Sequence, residues 1–255
     1  MGYIKAIIYG DNLELYTYEK NIKYNGRGGT KPKMGTSVPL LVDDRGVAVR
    51  QLIQKRRDNA SRSANTFRRL VLANLSVSSP PALITCTYAK NQTNIRIAYQ
   101  DFRSFIGTLR YRFGKKFRYI TVPEFQKRGA IHFHSLFWGL PENISTDERH
   151  TRLVASMWGH GFVDCYLTDG NEKISSYIAK YMAKSYLDDR LGFSKAYRCS
   201  RNILRPIIEK NLGGLFYLSE MYNLGVDNFP CKDKQFDTQW LGKGRYRHYN
   251  NIKKI

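Results

Sequence analysis

Acidic side chains are scarce in this chain of 255 residues, where 21 Asp and Glu stand against 42 Lys and Arg and leave a formal net charge of +21. Cysteine is also sparse: Cys86, Cys165, Cys199 and Cys231 lie too far apart for CxxC pairs. That spacing argues against a cysteine-ligated zinc module and for reduced thiols that serve mostly in packing. There is no long uncharged apolar run and no signal peptide with its cleavage site, so the expected protein is soluble and intracellular, with no membrane partner. No internal repeat occurs, and the chain length suits one large domain, or one domain with an appendage.

The basic excess is what remains to be explained. Each Lys or Arg set on a phosphate releases condensed counterions, so a polyanion, and nucleic acid first of all, is the expected partner. Much of the charge falls in one segment. From Val47 to Leu75, Leu52, Ile53, Ala60, Ala64, Phe67, Leu70 and Val71 recur at helical steps, which predicts an amphipathic helix. Its other faces carry Arg50, Lys55, Arg56, Arg57, Arg62, Arg68 and Arg69 against a single Asp58. A merely solvated face usually mixes signs, so Arg50, Lys55, Arg56, Arg57, Arg68 and Arg69 are candidate contacts to a DNA backbone.

The remaining pattern is mixed. Residues 3–18 read as a hairpin about a Gly-Asp-Asn turn, and Lys23–Pro39, with Gly26, Gly28, Gly29, Gly35, Pro32 and Pro39, reads as a linker. After it the text predicts a strand at 82–88, a helix at 95–113, strands at 117–124 and 131–139, a helix at 146–158, a strand at 161–168 and a helix at 172–187. This order predicts an α+β fold, an antiparallel central sheet with helices packed on it, to which the N-terminal hairpin and the basic helix are added. The expected organisation is a hairpin and linker over 1–46, a main domain over 47–206 and a C-terminal extension over 207–255.

Two strings carry chemistry. In GAIHFH (129–134), strand alternation projects His132 and His134 to one face and Phe133 to the other. Two histidines in a sheet are weak grounds for a metal by themselves, but the preceding strand ends at Glu124. A hairpin over QKRGA folds that carboxylate back towards His132. Two imidazoles and one carboxylate with open positions suit a catalytic divalent ion that must also take a phosphate. The second string is SYIAKYMAKS (176–185), where Tyr177, Lys180, Tyr181 and Lys184 share one helical stripe. Alone it reads as amphipathic surface. Phenols are poor nucleophiles at neutral pH, and a nearby ammonium or a polarised phosphate is what makes tyrosine attack feasible.

Together these strings resemble the HUH endonuclease superfamily, specifically the rolling-circle replication initiators of small phages, plasmids and single-stranded DNA viruses. TVPEFQKRGAIHFH is similar to their metal motif, ITCTY (84–88) to the strand of their first motif, and YIAKYMAK to their tyrosine motif, with two tyrosines as in the phage and plasmid branch. SRNILRP (200–206) is similar to a segment that follows the nuclease core in some members, so the resemblance spans about 47–206. It implies an HUH palm, and Mg²⁺ or Mn²⁺ held by Glu124, His132 and His134. It also implies in-line attack by Tyr177 or Tyr181 on single-stranded origin DNA, leaving a 5′-phosphotyrosine and a free 3′-OH, with Lys180 and Lys184 steadying charge. Some relatives add a helicase. No GxxxxGK[ST] phosphate loop is present here, so unwinding is expected from a host helicase and synthesis from a host polymerase. The implied setting is a bacterial or archaeal cytoplasm, or the nucleus for a eukaryotic virus. Rival readings are a transposase or mobilisation relaxase with the same chemistry, a basic nucleic-acid-binding module with a structural metal, and a metal hydrolase that uses water.

Overall fold

The computed structural model describes residues 2–21, 47–114, 116–141, 143–144, 147–210, 215–216, 220, 229–238, 241–250 and 252. The linker read at Lys23–Pro39 lies outside these residues, as does the side chain of Arg50. The chain divides into two compact units, Arg56–Arg205 and a second made of Met1–Lys55 with Pro206–Ile255.

In the Arg56–Arg205 unit the expected α+β architecture is present. It holds the strands β3 (Ala82–Tyr88), β4 (Arg118–Phe125), β5 (Ile131–Trp138), β6 (Gly161–Leu167) and β7 (Arg198–Cys199), and the helices α2 (Ile95–Phe113), α3 (Glu148–Trp158) and α4 (Lys173–Leu187). The basic helix α1 (Val47–Leu72) runs into it, and the boundary between units falls within that helix. The strands form one antiparallel sheet in the order β6-β3-β5-β4-β7.

Local chemistry explains the element ends. Asn94 caps α2 by accepting from the backbone N–H groups of Arg96 and Ile97, and Asp147 caps α3 through Arg149 N. Gly114 and Gly159 close the same two helices at positive φ. In β3 the buried positions alternate, with Ala82, Ile84, Cys86 and Tyr88 inward. Their face of the sheet meets α2 and α3 in an aromatic core: Phe133 lies 4.6 Å from Phe102 and 6.2 Å from Trp158, ring centre to ring centre. The opposite face receives α4, whose Ile178, Ala179 and Met182 are buried.

The second unit was only partly foreseen. Its hairpin, β1 (Ile4–Tyr9) and β2 (Asn12–Tyr18), matches the expectation for residues 3–18. To it the chain adds β8 (Ile207–Glu209), β9 (Lys232–Thr238) and β10 (Gly242–Tyr249), giving a second antiparallel sheet in the order β8-β1-β2-β10-β9. The stretch after Pro206 therefore shares a sheet with the N-terminal hairpin.

Candidate metal and tyrosine centre

The turn between β4 and β5 fixes the site. Gln126 N donates to Ala130 O and Gly129 N to Gln126 O, with Gly129 at φ 96°, a conformation that favours glycine. The resulting register sets Glu124 opposite His132 and Val122 opposite His134. On the other side of β5, β3 sets Thr87 opposite His132 and Thr85 opposite His134. Directly opposed residues share a face, so Thr85, Thr87, Glu124, His132 and His134 all project to the α4 side.

Ligand atoms of Glu124, His132 and His134 lie within 4.8 Å of one another. Glu124 Oε2 is 2.7 Å from His134 Nε2, while Lys184 Nζ donates to Glu124 Oε1. His132 Nε2 is buried with no hydrogen-bond partner among the described residues. A buried polar atom without a partner is costly. A cation shared with Glu124 and His134 would satisfy it, and two imidazoles with one carboxylate are a donor set that suits a divalent ion. These residues therefore fit a divalent ion, whose identity the donor set leaves open.

The electrostatics agree. Burial, with the neighbouring His134 and Arg128, holds His132 below the usual imidazole range against the pull of Glu124. Burial also lowers His134, outweighing its bond to Glu124. Both rings thus favour the neutral form that ligates metals. Burial alone would raise Glu124, yet the hydrogen bonds and charges of Lys184 and His134 together hold it below the usual carboxylate range. His134 Nδ1 sits 3.3 Å from Thr85 Oγ1. The sequence pattern marks the strand that carries Thr85 but not this contact, since only the β3–β5 register brings the two side chains together.

Helix α4 brings the tyrosines in. Tyr181 stacks on His134 with ring centres 3.9 Å apart, and its hydroxyl is 2.9 Å from that of Tyr177. Burial, the bond to Tyr177 and the charge of Glu124 raise the Tyr181 phenol well above its ordinary range. Tyr177 is 41 % exposed, and its hydroxyl meets that of Tyr181. Lys184, itself exposed, joins the cluster through Glu124, and Lys180 is exposed on the same helix.

The basic helix is less uniform than its sequence. Lys55, Arg56 and Arg57 are exposed and Arg68 and Arg69 half-buried. Arg56 is tied down, bonded to the O of Leu187 at the end of α4 and 2.6 Å from Asp189 just beyond it. It braces the tyrosine helix as well as adding charge.

Fold and site define an α+β protein with a candidate metal cluster under a pair of tyrosines. Residues 81–186 match the family model of the replication-associated protein ORF2/G2P, which supports a replication initiator of Rep type. The matched segment runs from just before β3 to the end of α4 and so contains the cluster and both tyrosines. No curated protein and no solved structure matches the chain. Among the described residues no helix is long and apolar enough to cross a membrane.

Proposed function

We propose that the chain is a metal-dependent endonuclease and joining enzyme of the HUH kind, which nicks single-stranded DNA at a replication origin to start rolling-circle replication. The observation that carries this reading is the contact of Tyr181 with His134, because it sets a phenol pair directly over the one cluster of described residues suited to a metal. Glu124, His132 and His134 would hold Mg²⁺ or Mn²⁺, which when bound supplies electrophilic activation of a phosphate.

The chain's own groups then have separable roles. Thr85 orients the His134 ring through the contact of its Oγ1 with Nδ1, as a group that supports a metal-binding histidine would. Lys184 neutralises Glu124, and its largely exposed ammonium would also be available to a phosphate oxygen. Tyr177 is the initiating nucleophile. Its ring is the more accessible, and the Tyr181 phenol is disfavoured as an anion by its surroundings. Attack by Tyr177 Oη on phosphorus forms the tyrosyl ester and breaks the bond to the 3′ oxygen, which leaves as the 3′-OH with the phenol's proton. Tyr181, one turn along, would act in the next round. A host polymerase would extend the 3′-OH and a host helicase would open the duplex.

The test is incubation with single-stranded origin DNA and Mn²⁺, followed by peptide mapping of any denaturant-resistant adduct. The expected result is DNA on Tyr177, loss of most nicking in Tyr177→Phe, impaired repeated rounds in Tyr181→Phe, and no adduct in the double variant. DNA linked to a tyrosine outside α4, or cleavage with no adduct, overturns the reading.

A further inference from the structure

The sheet face that carries the metal cluster continues onto the edge strand β6. Phe162 lies opposite Thr87, and Thr87 opposite His132; Asp164 lies opposite Thr85, and Thr85 opposite His134; Tyr166 lies opposite Leu83. Phe162, Asp164 and Tyr166 therefore share the face of the two histidines, about 10 Å away across two strand spacings. The alternate residues Val163 and Cys165 point the other way and pack on the core. Phe162 is 72 % and Tyr166 60 % exposed, and among the described residues β6 pairs only with β3. Folding does not call for large rings here, since exposed apolar side chains on an edge strand invite aggregation.

We propose that Phe162 and Tyr166 are a stacking platform for bases of the single strand presented to the metal cluster. This rests on the reading that the cluster acts on DNA. Spacing supports it: four strand residues span about 13 Å, whereas stacked nucleotides advance about 3.4 Å, so each ring takes its own unstacked base. Asp164 between the rings decides what faces the strip. Its carboxylate repels phosphates, so the backbone runs elsewhere, and it would be costly under a dry protein partner. Base edges offer it N–H donors. The chain's net charge of +21 supplies the attraction that the backbone needs. Gly161 fixes the position of the strip: a Cβ there would lie 2.4 Å from Thr87 O, so β6 starts pressed onto β3.

The test uses the full chain in a chelator, so that binding is read without cleavage. Anisotropy of a short labelled mixed-sequence single strand, and of the corresponding duplex, is measured for Phe162→Leu, Tyr166→Leu and Tyr166→Phe, with thermal melting as a check on folding. Each Leu variant is expected to weaken single-strand binding about five- to a hundredfold, with the salt slope and duplex binding unchanged and Tyr166→Phe near wild type. Unchanged single-strand affinity in well-folded Leu variants overturns the platform. So does a wild-type dimer that the Leu variants dissociate while single-strand affinity persists, since the edge would then be a self-association surface. Binding that depends on the rings in a chain that forms no tyrosine adduct with Mn²⁺ supports the platform and removes the nicking reading instead.

Discussion

The two sheets each bury a histidine, and they treat it in opposite ways. In the β8-β1-β2-β10-β9 sheet, His248 Nε2 meets Asn12 Oδ1 at 2.8 Å, beside Glu14, which accepts from the Tyr9 and Tyr16 hydroxyls at 2.6 and 2.7 Å. Among the described residues the apolar cluster beneath is formed by Ala6, Ile8, Leu13 and Ile252. There the polar groups answer one another across strands, and the network holds the sheet together. In the other sheet the aromatic core lies on the face away from the cluster, and on the histidine face, beside the packed α4, stand a carboxylate, a lysine and the orphaned His132 Nε2. The contrast separates a histidine satisfied within its sheet from a pair whose donor atoms would suit a divalent ion.

The sharpest way to break the comparison is to remove the ligands on one side. Glu124→Ala or the His132→Ala/His134→Ala double variant should abolish metal-dependent nicking while most DNA affinity survives, because the basic surface supplies binding. A nicking assay beside a gel shift decides it, and full nicking by the double variant ends the metal assignment. Asn12→Ala, on the other side, should leave metal binding and nicking intact and cost stability by about 1–3 kcal/mol, the usual loss for a buried polar group left without its partner. Denaturant melts measure that cost. Loss of metal binding in Asn12→Ala would erase the distinction between the sheets.

A finer cut tests the support of His134. Thr85→Val keeps shape and removes the oxygen 3.3 Å from Nδ1. Metal affinity should fall about 10- to 100-fold, as for other groups that orient a metal-binding histidine. Calorimetric titration with Mn²⁺ reads this directly.

Much of this was legible in the sequence, and the reason is periodicity. The strands at 82–88 and 131–138 and the helix at 95–113 carry strong apolar patterns, and QKRGA announced the turn that sets Glu124 opposite His132. The β9 and β10 segments, KDKQFDT and GKGRYRHY, hold almost no aliphatic residues. Their pairing rests on backbone bonds and on contacts such as Arg245 with Asp233, which leave no hydrophobic signature. Contacts that cross strands, such as Thr85 with His134, depend on register, and Lys184 with Glu124 depends on where α4 docks. Spacing along the chain encodes neither.

The smallest effect concerns α1, where the sequence could not rank equal-looking arginines. Arg56 and Arg57 are adjacent and both exposed, but Arg56 is held by Asp189 and Leu187 O. An arginine already paired with a carboxylate brings little net charge to a phosphate, and moving it to DNA means giving up that pair. Arg57→Gln should therefore reduce the slope of log affinity against log salt by about 1, and Arg56→Gln by clearly less. Arg56→Gln should instead loosen the end of the tyrosine helix, at a cost of about 0–1 kcal/mol for an exposed pair. Salt titrations of DNA binding for the two variants make the comparison. Equal slopes, both lower than wild type, would mean that Arg56 leaves Asp189 when DNA binds, and that this helix meets the backbone as one continuous charged face.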